Sequence, residues 1–417
     1  MSEIKPLSTR FNSFIPIVVT VCLFIGLSRD NQILTSAGIL FIMLYGLIWV
    51  WWKLSFIGLT SRLEFSEIRA FEGEEVELRI ITTNRKYLPV FWLNVVYELP
   101  KGLKMKQIDL TISSSSQRGY LRSYWFLNPW QTVLRRFEIE CTDRGYYHIG
   151  PGYMETGDPF GFFSGRMTLP ETFELIIYPK VYPIDEMSFP ARQPFGEFRS
   201  VGRLFEDPMR TIGIRDWQMG DSQRRIHWKA TAKYQTLFSR VYEPAEEEKA
   251  MIFLNIATLE NFWHGYIPEL QEQAIRVASS LAYELSEKRL PVGLIANGRL
   301  FRKELAIKLL PGRSPDQLML ILELLAGVTS FATSSIEDLL ISETPGIPWG
   351  TTLILITAVT HDALLATLLD LTAAGRPIVL ISLAKEPPTE YLPQITVYHL
   401  PYFDISRDDI IAPVRQS

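Results

Sequence analysis

The chain has 417 residues, 47% of them hydrophobic, a formal net charge of −4 and two cysteines. That length accommodates two or three domains, and the mildly acidic balance supplies no global attraction for nucleic acid. Cys22 lies in an apolar run and Cys141 in an expected strand, so no disulfide framework is implied.

Two nearly uncharged runs open the chain, Phe11 to Leu27 and Ile33 to Trp52, separated by Ser28, Arg29, Asp30, Asn31 and Gln32. Each approaches the ~20 residues with which a helix crosses a bilayer, so residues 1–56 are expected to form a transmembrane helical hairpin. The first run is the shorter and holds Pro16, which leaves a buried hairpin of a soluble protein as the competing reading. A signal peptide would need a small-residue cleavage site before the second run, and none is present. Trp49, Trp51, Trp52 and Lys53 have the composition of an interfacial anchor. Lys5 and Arg10 precede the first run, Lys53 and Arg62 follow the second, and the loop between holds Arg29 balanced by Asp30. The positive-inside bias then places both ends, and everything after Trp52, in the cytoplasm of a multi-pass membrane protein.

From about residue 63 to 180 short alternating runs recur, such as Val76-Glu77-Leu78-Arg79-Ile80 and Phe137-Glu138-Ile139-Glu140, bounded by Gly73, Asn84, Pro89, Pro100, Gly145 and Gly150. Period-two alternation punctuated by turn residues predicts a small antiparallel β-sandwich.

The connector 181–249 holds the densest pattern in the chain, Gly213 to Lys233, reading GIRDWQMGDSQRRIHWKATAK. Its candidate residues are Arg215, Asp216, Trp217, Gly220, Asp221, Arg225, His227, Trp228 and Lys229. Gly220-Asp221 reads as a turn, because Gly tolerates positive φ and Asp can bond back to the chain. The surrounding excess of Arg and Lys forms a local positive field with two readings. One is a docking surface for an acidic partner, with Arg making bidentate contacts and Trp supplying area. The other is an internal ion-pair lattice in which Arg215 and Arg225 pair with Asp216 and Asp221, and the density of opposite charges favours it. Trp217 and Trp228 are expected as core anchors and His227 as a structural histidine. A hydrolase with a site around Asp221 and His227 is the alternative function, although the chain has no G-x-S-x-G elbow, H-E-x-x-H or phosphate-binding loop.

This segment resembles the signature of the bacterial and archaeal family known as domain of unknown function 58, roughly R-E-Y-x-x-G-D-x-x-R-x-I-D-W-K-x-S/T-A-R. His227 departs from the family's usual Asp. Arg144-Gly145-Tyr146-Tyr147-His148-Ile149-Gly150-Pro151 and Asp158-Pro159-Phe160-Gly161 resemble two further elements of the same family.

From Ala250 strands and amphipathic helices alternate, with strands expected at 251–257, 291–296, 306–310, 351–356, 377–383 and 395–400 and helices at 269–288, 315–326, 336–341 and 361–374. Buried strands alternating with helices predict an α/β domain with a doubly wound, mostly parallel sheet over 250–417. The family resemblance makes it von Willebrand factor A-like. Metal-binding A domains place D-x-S-x-S after the first strand, because Mg²⁺ takes oxygen ligands. Here Asn255, Ala257 and Leu259 occupy those positions, so no metal and no cofactor are expected, and Asn255, Thr258 and Thr357 remain a candidate contact edge. The expected fold is thus mixed: two N-terminal transmembrane helices, an antiparallel β-sandwich, a signature connector and an A-like α/β domain. The resemblance implies a partner of the MoxR-type AAA+ ATPase class and a scaffold or adaptor role in assembling envelope-associated complexes, without enzyme activity and without nucleic acid.

Overall fold

The computed structural model describes residues 4–6, 14–29, 32–100, 102–106, 111–112, 118–183, 206–218, 226–244, 249–260, 262–301, 306–385 and 395–400. They divide into two units, Met1–Tyr178 and Pro179–Ser417.

In the first unit, strand β1 (Ile4–Pro6) is followed by helices α1 (Phe14–Ser28) and α2 (Gln32–Ser55). Pro16 falls in the first turn of α1, where its missing N–H removes no helical bond. The 24 residues of α2 give about 36 Å at a rise of 1.5 Å per residue. It is the one described helix long and apolar enough to cross a membrane. The 15 residues of α1 reach about 22 Å, short of a hydrocarbon core of ~30 Å. Where the sequence predicts two spans, the described residues therefore hold one span-length helix and a shorter apolar partner.

Twelve strands complete this unit: β2 (Leu59–Phe65), β3 (Arg69–Phe71), β4 (Glu75–Asn84), β5 (Val90–Pro100), β6 (Lys104–Met105), β7 (Thr111–Ile112), β8 (Arg118–Leu127), β9 (Thr132–Glu140), β10 (Gly145–Ile149), β11 (Gly152–Gly157), β12 (Ser164–Leu169) and β13 (Phe173–Tyr178). They form sheets in the orders β1-β12-β11-β5-β8-β7, β2-β4-β9-β6 and β10-β13-β3. All pairings are antiparallel except β13 with β3. In β4 every second side chain is buried, as period two requires, and Val76, Leu78 and Ile80 join Leu93, Val95, Leu121, Phe137 and Ile177 in one shared core. Ile4 to Pro6 pair with Gly165 to Met167, so the chain before α1 and the chain after α2 meet in the same sheet.

The end of α2 is fixed to this body by polar bonds. Ser55 Oγ donates to the Trp51 carbonyl at 2.9 Å and to Gly157 O at 3.1 Å. Lys86 Nζ donates to Leu54 O at 3.0 Å and also to Ser55 O. An ammonium at a helix C-terminus satisfies orphan carbonyls and meets the negative end of the macrodipole.

The second unit begins with the hairpin β14 (Glu206–Asp216) and β15 (Phe238–Pro244), between which α3 (Trp228–Tyr234) is inserted. There follow β16 (Lys249–Leu254), α4 (Pro268–Glu287), β17 (Val292–Arg299), β18 (Ala306–Gly312), α5 (Gln317–Ala326), α6 (Ile336–Glu343), β19 (Thr351–Thr357), α7 (Asp362–Ala373), β20 (Ile378–Ser382) and β21 (Thr396–His399). The sheet order β18-β17-β16-β19-β20-β21 is parallel except for β18 at the edge. Alternate residues of β16 feed opposite faces. Ala250, Ile252 and Leu254 pack with α4 and α5, whereas Met251 and Phe253 pack with α6 and α7. Both faces being covered accounts for the uninterrupted apolar strands.

Burial pulls the Lys86 ammonium down from 10.5 to about 8. The unfolded chain holds that proton until pH 10.5 and the folded chain releases it near 8, so unfolding takes up a proton in this window and stability rises with pH across it. Lysine-methyl NMR across that range is expected to show one resonance, lost in Lys86→Met, titrating well before the others.

Candidate functional site

Two places in the second unit carry the sequence candidates: the signature hairpin and the carboxyl edge of the six-stranded sheet.

In the hairpin, the Trp217 amide donates to Leu237 O at 2.8 Å and the His227 amide to Phe238 O at 2.8 Å. Ile226 bridges Ser239, and the Phe238 amide donates to Thr231 Oγ1 at 3.1 Å, which sews α3 onto β15. His227 is the N-cap of α3, its Nδ1 accepting the Ala230 amide at 3.1 Å. A neutral imidazole accepting at Nδ1 carries its proton on Nε2. Asp is itself a preferred N-cap, so an Asp here would exchange one acceptor for another. The helix closes at Gln235, which adopts the left-handed φ of 54° and donates its N–H to Thr231 O.

Of the two tryptophans, Trp228 does not behave as the sequence predicts. Trp228, expected in a core, is 66% exposed because it occupies the first helical position and points away from the hairpin that buries Ala230. Trp217 is half-buried. Exposed Tyr234 and Leu237 follow Trp228, and Lys233 lies over the Tyr234 ring at 5.2 Å. Lys229 is exposed. Arg215 Nη1 donates to the backbone carbonyl of Asp216 at 3.2 Å. Gly220, Asp221 and Arg225, and with them half of the expected ion-pair lattice and the acid of the hydrolase alternative, lie outside the described residues.

At the sheet edge, strand order reverses between β16 and β19, the switch point where open α/β sheets present their chemistry. Asn255 and Thr357 stand there, 3% and 0% exposed, joined by Asn255 Nδ2 donating to Thr357 Oγ1 at 3.0 Å. Asn255 Oδ1 accepts from Asn297 Nδ2 at 2.9 Å and from the Ala257 amide at 3.1 Å. Asn297 Oδ1 accepts the Ile256 amide at 2.8 Å, and its Nδ2 also donates to Ser334 O. Thr258 Oγ1 accepts the Ile267 amide at 2.6 Å. Asn255, Thr258 and Thr357 are therefore turned inward and occupied with one another's loops, and cannot form the exposed contact edge expected of them. Ala257 lends only its amide and Leu259 no polar side-chain atom. Among the described residues no group of three or more His, Cys, Asp or Glu is gathered as for a metal ion. Asn297, not singled out by the sequence reading, is the hub of this network; a polar residue near the end of an apolar strand is the signal that marks it.

The exposed rim at the same edge is aromatic. Trp263, Phe301 and Phe331 are 68%, 51% and 64% exposed, with Tyr266 edge-on to Phe331 at 5.5 Å. Gln271 Nε2 donates to Ser330 O at 3.1 Å and holds the α5–α6 loop beside the start of α4.

Removing the cap acceptor by His227→Ala is expected to cost about 1 kcal/mol in denaturant unfolding, with His227→Asp restoring it. Trp228→Ala is expected to stay within about 0.5 kcal/mol, as befits an exposed side chain. Asn297→Leu, which strands the Ile256 N–H and leaves Asn255 Oδ1 one donor short, is expected to cost roughly 1–3 kcal/mol in the same measurement.

Among solved structures, the CARDB domain of the PF1109 protein of Pyrococcus furiosus matches at 14% identity and a TM-score of 0.19, over 28% of this chain and 91% of that one. A non-cellulosomal cohesin of Archaeoglobus fulgidus matches at 10% identity and a TM-score of 0.20, over 28% and 91%. The uncharacterized protein YeaD of Bacillus subtilis (strain 168) is 20% identical over 226 residues, 53% of this chain and 52% of that relative, so the match spans about half its length. Residues 213–330, from the signature hairpin through α5, match the family described as protein of unknown function DUF58.

Proposed function

We propose that the chain is a membrane-anchored adaptor that faces the cytoplasm and presents an α/β docking domain to a MoxR-type AAA+ ATPase during assembly or remodelling of envelope-associated complexes. The observation that carries this reading is the switch point itself. Where such a sheet offers catalytic or metal-binding groups, this one is filled by Asn255, Asn297 and Thr357 bonded to each other, while aromatic side chains stand exposed around it. Trp and Phe are enriched at protein interfaces, and Trp is among the residues on which binding energy concentrates. Exposed Trp228 beside Lys229 and Lys233 adds a cationic, aromatic surface on the signature, which favours docking of an acidic partner over a purely internal lattice.

The strand order with its antiparallel edge strand β18 supports a von Willebrand factor A-like domain without the ion. The β1–β12 pairing supports a two-pass anchor, because it returns the chain on both sides of the α1–α2 hairpin to the same body. Lys5, Lys53 and Arg62, flanking the hairpin, support a cytoplasmic orientation under the positive-inside rule. The partner class comes from the family resemblance.

A photo-crosslinking residue at Trp228, and separately at Phe331, in the full chain in its native membrane tests the proposal. Capture of a AAA+ ATPase from either position, lost when Lys229 and Lys233 are changed to Glu or when Trp263 is changed to Ser in a folded protein, is the expected result. Absence of any ATPase adduct from both positions, with unfolding curves unchanged, would overturn it.

A further inference from the structure

Three hairpin loops meet where α2 enters the first unit: 85–89 between β4 and β5, 128–131 between β8 and β9, and 158–163 between β11 and β12. Asn84 Nδ2 stitches the first two by donating to Leu88 O and Asn128 O, each at 3.0 Å. Trp92 Nε1 donates to Asp158 O at 3.0 Å and ties the third to the start of β5. Within the third loop the Asp158 carboxylate, fully buried, accepts the Phe160 amide at 2.8 Å and the Phe163 amide as well. Gly161 takes φ +79°, a conformation that favours glycine. The loop is thus locked by its own backbone, with Phe163 turned inward at 8% exposure and Phe160 and Phe162 turned out at 69% and 45%.

Phe163 stands between two residues of α2, its ring 5.3 Å from Tyr45 and 5.9 Å from Trp52. Those positions are two turns apart, about 10 Å along the axis. The loop therefore lies against α2 at the level of its tryptophan cluster, through Phe163. The neighbouring loops are aromatic too. Trp51 meets Phe91 at 5.8 Å, Phe91 meets Phe126 at 5.9 Å, and Tyr87 meets Trp130 at 5.4 Å, all outward-facing or half-exposed. The exposed charge that the three loops add to this surface is Arg85, since Asp158 is buried and Lys86 Nζ is turned to the carbonyls at the end of α2. Rings edged by a cation match the boundary between anionic headgroups and acyl chains.

We propose that loop 158–163, with Phe160 and Phe162 as its wedge, inserts into the headgroup–acyl boundary of the bilayer that α2 crosses, and that loops 85–89 and 128–131 rest on the same surface through Tyr87 and Trp130. This deepens the membrane-anchor reading and rests on α2 being a span. Lipid is the occupant because α2 carries the loop at a fixed height: a bilayer that takes in the helix as far as Trp52 must meet Phe163 and the rings beside it.

The test is nitroxide accessibility in the full chain reconstituted into vesicles of mixed zwitterionic and anionic phospholipid. Labels are placed at Phe160→Cys, at Ile42→Cys in mid-helix and at Asp143→Cys on the far β9–β10 turn. Cys22 is replaced by Ala, while buried Cys141, its thiol pushed up to about 11, stays unlabelled. Oxygen-dominated relaxation at residues 160 and 42, against relaxation by a water-soluble nickel chelate at 143, is the expected result. An oxygen signature at 42 with a chelate signature at 160 would overturn the wedge alone. A chelate signature at both would overturn the span and the wedge together. Shielding of residue 160 from both reagents would mean that a protein covers the loop, and would overturn the lipid assignment.

Discussion

The first unit depends on how an apolar helix ends. An α-helix leaves its last carbonyls without intrahelical partners, and side chains or water must supply them. Here Lys86 of the β4–β5 loop donates to Leu54 O and Ser55 O, and Ser55 Oγ reaches Gly157 O at the end of β11. A loop lysine thereby caps the C-terminus of α2, and the end of β11 holds its last residue. Helix and sheet are joined as one body, so α2 sets the position of three loops. Gly157 is needed at that joint for a steric reason, since a Cβ there would sit 2.1 Å from Phe163 O and 2.8 Å from the Trp92 ring.

The second unit applies the opposite logic to its most exposed topological feature. A parallel sheet leaves a crevice at its carboxyl edge where strand order reverses, and an empty crevice lined with polar atoms invites water or an ion. Asn255, Asn297 and Thr357 close it by matching donors to acceptors, two amides and a hydroxyl arranged so that each Asn oxygen receives an N–H. Neutral groups achieve this without the desolvation cost that a buried carboxylate would bring. The edge is then free to carry hydrophobic rings on its outer loops, because nothing beneath them requires solvent.

Much of this was legible from the chain. Period-two alternation in Val76 to Ile80 marks a strand with one buried face, and continuous apolar runs such as Met251 to Leu254 mark strands covered on both faces; each follows from backbone geometry alone. The antiparallel course of β18 was not legible, because strand direction depends on the short connection from Arg299 and leaves no trace in periodicity. Nor was the exposure of Trp228. A large aromatic inside a dense motif suggests a core position, but the hairpin is too small to cover the first turn of α3 and buries Ala230 instead. His227 was legible as a structural histidine but not as the N-cap of α3, a role set by where the helix starts and by its Nδ1 accepting the Ala230 amide.

The D-P-F-G element shows why a motif and its role separate. Asp158 and Gly161 are both spent on the turn, one receiving amides and the other supplying positive φ, so the strongest sequence signals in the loop are structural. The chemistry that faces outward belongs to Phe160 and Phe162, which on sequence alone are two more apolar residues. Only when the turn is built, and Phe163 is seen fixed against Tyr45 and Trp52, do the remaining two rings acquire a direction and a height. A rigid turn is what such a wedge requires, since inserting a ring into the interface gains only the free energy of burying its surface, about 25 cal/mol per Å², and a floppy loop would return much of that as ordering entropy.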